Sequence, residues 1–316
     1  MPIQHATYAV PREDLREAIM EYDPALDGYI AGAVLPVRPV KKKAATLSVV
    51  TRENLQSVAT THANAGAFNR VNLYTEDHAY ACTDYGLEAS LSDEDRANYD
   101  SDYDAELETV MDAKHKLLIA QEVRTAALVF NTTTWTGAAL YTDVSAAPWD
   151  AAGSDAIGHI LAAREKVRVN TGYSPDTLVI GAATLANLLL NTAILAKFPG
   201  TAAITEGTIR SNLAAIVGLD NLLVGGRIYS SNEEGLAFAG ADIWSDDYAM
   251  ICRVNQGSLR SGGLGRTLLW TDMTPENITV KQYREEQTDS DIFRVRQFCD
   301  EEIFDAYFGH LLKVDA

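Results

Sequence analysis

The apolar positions of the chain follow helical spacing in some stretches and strand alternation in others. Leu15, Ile19 and Met20 recur at helical spacing among acids, which predicts a short amphipathic helix. A longer helical pattern runs without proline or glycine from Ser90 to Phe130 and predicts one long helix, for which Ser92 is a candidate cap. Its apolar stripe comprises Leu107, Val110, Met111, Leu117, Leu118, Val123 and Ala127.

The apolar positions of residues 26–40, LDGYIAGAVLPVRPV, follow neither helical spacing nor strand alternation. Pro36 and Pro39 fix their own φ and push Leu35 and Arg38 into extended conformation, so a helix cannot continue through this segment. An extended apolar segment cannot cover its own side chains. We therefore predict an arm that lies along its own domain or along a neighbouring subunit.

Residues 67–91 alternate apolar and polar positions around a polar centre at residues 75–78. This pattern predicts a long two-stranded ribbon. An isolated ribbon is only marginally stable in water, so it needs something outside itself to pack on. Together with the arm, it favours a multi-subunit assembly.

The middle of the chain alternates helical and strand patterns, which predicts a separate α/β domain. Its predicted helices are residues 156–169 and 182–191, and its predicted strands are residues 176–180, 221–230, 236–244 and 248–254. Residues 278–283 and 291–300 then predict long strands with Phe293, Val295 and Gln297 on one face. Because these strands carry many large apolar residues, we expect them to return to the long helix, so that the first domain is discontinuous around the middle one.

Composition places the chain among soluble globular proteins. It has 316 residues, of which 47% are hydrophobic and 22% charged, a length that favours two domains. Neither an 18-residue apolar run nor a secretion signal is present, so we expect a protein made and used in a cytosol. Cys82, Cys252 and Cys299 are odd in number and far apart, which predicts buried thiols instead of disulfides or a metal cluster.

The net charge of −18 disfavours a nucleic-acid-binding protein, because such a surface repels phosphate. Plain solubility explains this charge equally well. A container that holds DNA without gripping it would carry the same sign of charge.

Motifs that carry chemistry are weak in this chain. The six histidines do not pair at ligand spacing, and His159, among apolar neighbours, is predicted to be a satisfied structural residue. The segment SGGLGRT at 261–267 is predicted to be a flexible loop instead of a phosphate cradle. Asp100, Asp102 and Asp104 begin like a calcium loop, but Ala105 and Met111 replace its required glycine and glutamate. We therefore assign no catalytic, cofactor-binding or metal-binding residue and no cofactor, and we do not predict an enzyme.

Three stretches resemble the major capsid proteins of tailed bacteriophages, whose fold also builds the capsid floor of herpesviruses and the shells of encapsulins. YIAGAVLPVRPVKKKAATLSVV at 29–50 resembles the arm segment of that family, and YACTDYGLEASLSDED at 80–95 resembles the end of its extended loop and the start of its spine helix. WDAAGSDAIGHILAAREKVRVNTGYSPDTLVIGAATLANLLLN at 149–191 resembles the opening of its axial domain. Order and spacing carry the resemblance, because none of these stretches is a catalytic signature.

The resemblance implies an α+β capsid fold with an arm, an extended β-hairpin loop, a spine helix, a peripheral domain and an inserted axial α/β domain. The implied boundaries are 1–66 for the arm and first strands, 67–91 for the extended loop, 92–148 for the spine helix and first peripheral part, 149–265 for the axial domain and 266–316 for the second peripheral part. It also implies that neighbouring subunits cover the arm.

The implied function is a structural protein that assembles with itself into hexamers and pentamers of an icosahedral phage head. Its implied surroundings are the virion, after assembly in the bacterial cytoplasm, with enclosed double-stranded DNA that is not bound by sequence and with no membrane. A separate scaffolding protein, a portal and a decoration or cement protein are the expected partners. An encapsulin-like compartment and, less favoured, a soluble acidic α/β enzyme remain alternatives.

Overall fold

The computed structural model describes residues 9–62, 66–98, 104–151, 153–196, 206–232, 235–258, 261–273 and 277–315. The helices of this part of the chain are α1 Glu13–Met20, α2 Ala31–Val34, α3 Asp93–Asn98, α4 Ala105–Val129, α5 Ala156–Thr171, α6 Ala182–Leu190, α7 Thr192–Leu195 and α8 Glu206–Val217. Its strands are β1 Val10–Pro11, β2 Val37–Val40, β3 Ala44–Val50, β4 Thr75–Ala81, β5 Thr83–Ser92, β6 Tyr141–Asp143, β7 Thr177–Gly181, β8 Asn221–Gly225, β9 Ile228–Ser230, β10 Gly240–Asp242, β11 Tyr248–Cys252, β12 Gly265–Trp270, β13 Thr279–Glu285, β14 Ser290–Ile303 and β15 Gly309–Lys313.

Two sheets organise the described chain. A six-stranded sheet has the order β1-β13-β14-β12-β2, and β5 pairs with the edge of β14 opposite to β12. A five-stranded sheet has the order β6-β15-β11-β7-β8 and carries α5 to α8, which are adjacent in sequence. Two further two-stranded ribbons pair β3 with β4 and β9 with β10. Helices and strands predicted for the middle region thus lie together in this sheet and the helices that it carries.

The long helix α4 joins both sheets through its two halves. Its first half packs Val110, Ala113 and Leu117 against Phe293 and Val295 of β14 in one apolar core. Its last turns place Ala126 and Val129 in a second core with Trp135 and Trp244. The predicted return of the late strands to this helix is confirmed.

The predicted single helix over Ser90–Phe130 is wrong at its start. Residues up to Ser92 belong to β5, which pairs with β14 in an antiparallel register, so tertiary pairing overrides the local helical pattern. The Ser92 hydroxyl accepts a hydrogen bond from Asp95 N at 3.0 Å, so the predicted cap residue caps the short helix α3 and not the long helix α4. Asp104 caps α4 by accepting from Leu107 N at 3.1 Å, whereas Asp100 and Asp102 lie outside the described residues.

The predicted ribbon over 67–91 is wrong in its pairing. β4 pairs with β3, in the register Val50↔Thr75 to Ala44↔Ala81, and β5 pairs with β14 instead of β4. Alternation identifies a strand but does not identify its partner. The ribbon that exists has residues 44–50 and 75–81 as its stem and residues 51–74 as its tip, a segment called the tip loop below.

Part of the arm packs within its own chain, the first of the two predicted alternatives, although Val37 is 43% exposed. Tyr29, Ile30, Val34 and Leu35 are buried within the subunit. β2 then pairs in parallel with β12, and Pro39 fits there because β2 lies at the edge of the sheet. The segment lacks a period because it turns, forms the single helical turn α2, and then extends.

The end of the chain also departs from the predicted boundaries. β15 joins the five-stranded sheet between β6 and β11, with His310, Leu311 and Leu312 buried, so residues 309–313 pair with strands of the middle region. Gly265 and the residues after it form β12, so the flexible loop predicted over 261–267 is wrong from Gly265 onward. A side chain at Gly265 would place Cβ 2.2 Å from Glu302 O, which shows that this glycine serves close strand packing.

Candidate functional site

Most chemistry-bearing side chains are used inside the fold. His159 accepts the indole N–H of Trp149, with 3.3 Å between Trp149 Nε1 and His159 Nδ1, which confirms its predicted structural role. All three cysteines are free and buried, as predicted, and burial raises the pKa of Cys82 to about 11. These thiols are therefore protonated and poorly nucleophilic at neutral pH.

His310 is fully buried between β6 and α5. Its Nε2 lies 2.8 Å from Thr142 Oγ1, and its Nδ1 lies 3.0 Å from the carbonyl oxygen of Ala139. Lys166 Nζ donates to the same Thr142 hydroxyl at 2.7 Å. A neutral His310 imidazole that donates from Nδ1 and accepts at Nε2 satisfies both of its ring nitrogens, and the Thr142 hydroxyl then donates to His310 while it accepts from Lys166. Burial lowers the pKa of His310 to about 4, in agreement with that assignment.

Three carboxylates of the described residues approach one another at the surface. Oxygen atoms of Asp246, Asp247 and Asp315 lie within 4.8 Å of one another. Asp247 also accepts a hydrogen bond from the Ser245 hydroxyl at 2.8 Å, so part of this cluster shapes its own turn. Exposed acids of this kind are expected on a surface with net charge −18.

Glu122 of α4 is a buried carboxylate that joins three parts of the chain. It accepts hydrogen bonds from Ile30 N at 2.8 Å, from Ala31 N at 2.9 Å and from Trp244 Nε1 at 2.7 Å. Burial raises the pKa of Glu122, and these three donors oppose that rise. Sequence reasoning missed this residue, although Glu122 lies one helical turn before the buried Ala126 and so on a buried face of the helix.

The base of the β3–β4 ribbon is anchored in the molecule. Val49 and Tyr80 pack with Val40, Leu268 and Phe304 in a small apolar core. The Ala81 amide donates to Asp300 Oδ2 at 2.9 Å. The ribbon therefore leaves the body of the protein from a fixed base.

Asn54 and Thr51 close the mouth of the tip loop through hydrogen bonds to Tyr74. Asn54 accepts from Tyr74 N at 2.9 Å and donates to Tyr74 O at 2.7 Å. Arg52 stacks on the Tyr307 ring, with its guanidinium carbon 3.5 Å from the ring centroid, and so fixes the start of the loop to the body. Two short links organise the rest: Asn69 Nδ2 donates to Ala59 O at 2.6 Å, and the rings of His62 and Phe68 lie 4.1 Å apart.

Beyond this mouth the tip loop exposes large apolar side chains. Phe68 is 74% exposed, Val71 73% and Leu73 62%, and Leu55 and Val58 are exposed as well. Residues 63–65 of the loop lie outside the described part. Exposed apolar side chains are ordinary when scattered, but several within one projecting loop mark an interaction surface.

A second exposed apolar group lies on the middle region. Phe238 is 71% exposed and Leu236 67% beside the β9–β10 ribbon, and Leu190 at the end of α6 is also exposed. Neither apolar surface contains a catalytic group, a clustered metal-ligand set or an anion cradle among its described residues. The exposed apolar side chains are suited to binding another protein surface.

Comparison with known proteins relates this geometry to capsids. The curated major capsid protein of Burkholderia phage BcepMu is 24% identical over 243 residues, which cover 76% of this chain and 74% of that protein. No protein-family model matches the chain. The sequence relationship is thus distant but extends over most of both proteins.

Solved structures match over nearly the whole chain. A phage-related protein from Bordetella bronchiseptica RB50 has a TM-score of 0.73 at 16% identity, over 97% of both chains. The capsid of Cyanophage P-SCSP1u has a TM-score of 0.63 at 12% identity, over 90% of this chain and 87% of that one. The holo-SrpI encapsulin complex from Synechococcus elongatus PCC 7942 has a TM-score of 0.54 at 11% identity, over 98% and 92%. The likeness therefore concerns the entire fold and not one shared module.

Proposed function

We propose that this chain, which has the fold of the tailed-phage major capsid proteins, is the structural protein that assembles with itself into the shell of a phage head. The observation that carries the proposal is the tip loop, which exposes Phe68, Val71 and Leu73 from an anchored ribbon. An isolated subunit gains nothing from exposing these side chains, whereas a second copy that covers them buries apolar surface.

In this proposal the parts of the chain have separate roles. Residues 41–81 are the extended loop that overlaps an adjacent subunit. The six-stranded sheet and α4 form the peripheral domain and spine, and the five-stranded sheet with its helices forms the axial domain. The exposed Leu190, Leu236 and Phe238 of that axial domain support its packing around the axis of hexamers and pentamers.

Charge supports a genome container. A net charge of −18 on each copy, repeated over a closed wall, repels phosphate, so double-stranded DNA would be held by confinement and not by sequence-specific contacts. A closed shell that takes up DNA needs an entry, which supports a portal, and subunits that form both hexamers and pentamers need guidance, which supports a separate scaffolding protein. A decoration protein on the outer surface is a further expected partner.

The proposed place of action is the virion, after assembly in the cytoplasm of a bacterial host. Within the described part of the chain, no helix is long and apolar enough to cross a bilayer. The proposed function needs neither catalytic groups nor a cofactor, so we do not assign enzymatic activity. The similarity to capsid proteins favours this assignment.

The test is to purify particles formed by the chain, image them by electron microscopy, and identify their contents after nuclease treatment. We expect closed shells of uniform size that protect double-stranded DNA from nuclease when the DNA-packaging components of the phage are present. Shells that enclose a specific protein cargo in place of nucleic acid would instead support an encapsulin-like compartment. Subunits that remain monomers or small oligomers under all conditions would contradict both shell functions.

A further inference from the structure

Three consecutive lysines, Lys41, Lys42 and Lys43, form an exposed turn between β2 and β3, called the basic turn here. Within the described residues none of these ammonium groups forms an ion pair, although the whole chain carries 44 acidic residues. The basic turn therefore concentrates positive charge on a strongly acidic molecule and leaves that charge uncompensated within the described subunit.

The backbone of the basic turn is held in place. The carbonyl oxygen of Lys41 accepts from Trp270 Nε1 at 3.1 Å, and that of Lys42 accepts from the Tyr80 hydroxyl at 3.1 Å. The carbonyl oxygen of Lys43 accepts from Cys82 N at 2.8 Å. Because each peptide is anchored, the turn presents its side chains from a fixed backbone, and less entropy is lost when they bind.

A group of exposed carboxylates, called the acidic corner here, lies where the β13–β14 turn meets the start of α3. It consists of Asp93, Glu94, Asp95, Glu285, Glu286 and Asp289. The two segments touch, since Asp93 N donates to Asp289 O at 3.1 Å. Arg284 compensates part of this charge through Asp93, with 2.6 Å between Arg284 Nη2 and Asp93 Oδ2, whereas no ion pair of Glu94 or Glu286 occurs among the described residues.

The two patches lie at opposite ends of the same pair of strands. β5 begins at Thr83, directly after the Cys82 that holds the basic turn, and ends at Ser92, directly before the acidic corner. Ten residues of strand separate these ends, or about 30 Å at the usual rise per residue. The basic turn and the acidic corner of one subunit therefore cannot contact each other.

We propose that the basic turn of one subunit contacts the acidic corner of the next copy in a head-to-tail interface. Opposite charges at opposite ends of one subunit fit such a contact, and head-to-tail contacts generate closed rings when the rotation between copies closes. This inference rests on the proposed shell function and names the electrostatic contact that orients neighbouring subunits head to tail. A phosphate backbone is the competing partner of the lysines, and the test below separates it.

The test measures the subunit concentration at half-assembly, by light scattering at low salt, for three variants. The first carries Lys41→Glu, Lys42→Glu and Lys43→Glu, the second carries Glu94→Lys, Glu285→Lys and Glu286→Lys, and the third carries all six changes. All six positions are exposed, so the urea midpoint of each variant should match that of the wild type. In each single-patch variant the subunit concentration at half-assembly should rise by about tenfold or more, because like charges then face each other. In the variant with all six changes this concentration should return to near the wild-type value.

Mixing the two single-patch variants in equal amounts should also restore assembly, because each altered patch then meets its complement on the other variant. Lys116→Glu on α4 is the matched control for Lys42→Glu, since both change the net charge equally, and only Lys42→Glu should weaken assembly.

Single-patch variants that assemble like the wild type, or a six-fold variant that is not restored, would overturn the contact while leaving the shell function intact. The head-to-tail contact would also be overturned, in favour of a phosphate backbone as the partner of the lysines, by one further pair of results. In that case the lysine variant would lose DNA that the wild type binds, and the acidic-corner variant would assemble like the wild type. A wild type that never assembles would overturn both proposals.

Discussion

Single buried polar residues connect parts of the chain that are far apart in sequence. Glu122 links α4 to residues 30–31 and to Trp244, and His310 links β15 to Ala139 and Thr142. Each group is expensive to bury and is stable only while all its partners stay in place. Substitutions at such positions should therefore lower the stability of the subunit and leave its exposed binding surfaces unchanged in composition.

Replacing Glu122 with glutamine should destabilise the unassembled subunit by about 2–4 kcal/mol, because an amide cannot accept all three hydrogen bonds and turns a donor toward the Ala31 amide. Urea denaturation measures this loss. Glu108→Gln, at an exposed position of the same helix, is the matched control and should change the stability by less than about 0.5 kcal/mol. Equal stabilities of the two variants would show that the Glu122 contacts do not contribute.

Acid should destabilise the subunit through His310. Its pKa falls from 6.5 to about 4 on folding, so the unfolded chain binds the proton more readily between these values. The stabilising contribution is complete above pH 6.5 and is lost as the pH falls toward 4, by roughly 3 kcal/mol for a shift of this size. The unfolding free energy of His310→Gln, measured across this pH range, should vary less than that of the wild type. An identical pH dependence in the two proteins would contradict this account.

At the scale of elements, strong local patterns were predictable and strand partners were not. The helix predicted over 156–169 is α5, and the buried strand predicted over 176–180 is β7, because each pattern has a single local solution. β4 and β5 were predicted as strands but were wrongly paired with each other, since the register that pairs β5 with β14 depends on residues about 200 positions away. The anchoring of the basic turn and of the tip loop depends on Trp270 and Tyr307, which no local pattern identifies.

This pairing changes which segment can be removed without unfolding the subunit. A deletion of residues 70–86 would remove all of β4, including the buried Tyr80, together with the buried Cys82, and would shorten β5, so it should unfold the protein. A deletion of residues 56–72 with a short glycine-serine join keeps Asn54 and Tyr74, which close the loop. We expect the circular dichroism spectrum and melting transition of this second variant to stay close to those of the unassembled wild type. A large loss of stability would show that the tip loop belongs to the core of the subunit.

At the scale of the whole molecule, the predicted capsid fold is confirmed by likenesses that extend over nearly the full chain. The observed sheets divide the chain at β15 differently from the predicted domains, because β15 joins the five-stranded sheet. The net charge acts at this same scale, because it is set by the composition of the entire subunit and repeats over any assembly.

The charge predicts that unassembled subunits do not bind naked double-stranded DNA tightly. A gel-shift assay at low salt checks this, because phosphate contacts are strongest when few salt ions compete. We expect no retardation of the DNA at concentrations where the subunit stays unassembled. Tight retardation that weakens steeply as salt rises would contradict the prediction, and loss of that retardation on changing Lys41, Lys42 and Lys43 would assign it to the basic turn.

The central claim is that copies of this chain form a closed shell through the exposed tip loop. Sedimentation velocity combined with negative-stain electron microscopy tests it most directly, on the wild type and on the variant that lacks residues 56–72. The account predicts closed particles for the wild type and folded subunits that form no closed particle for the variant. Closed particles formed equally well by both proteins, or no particles from the wild type, would contradict it.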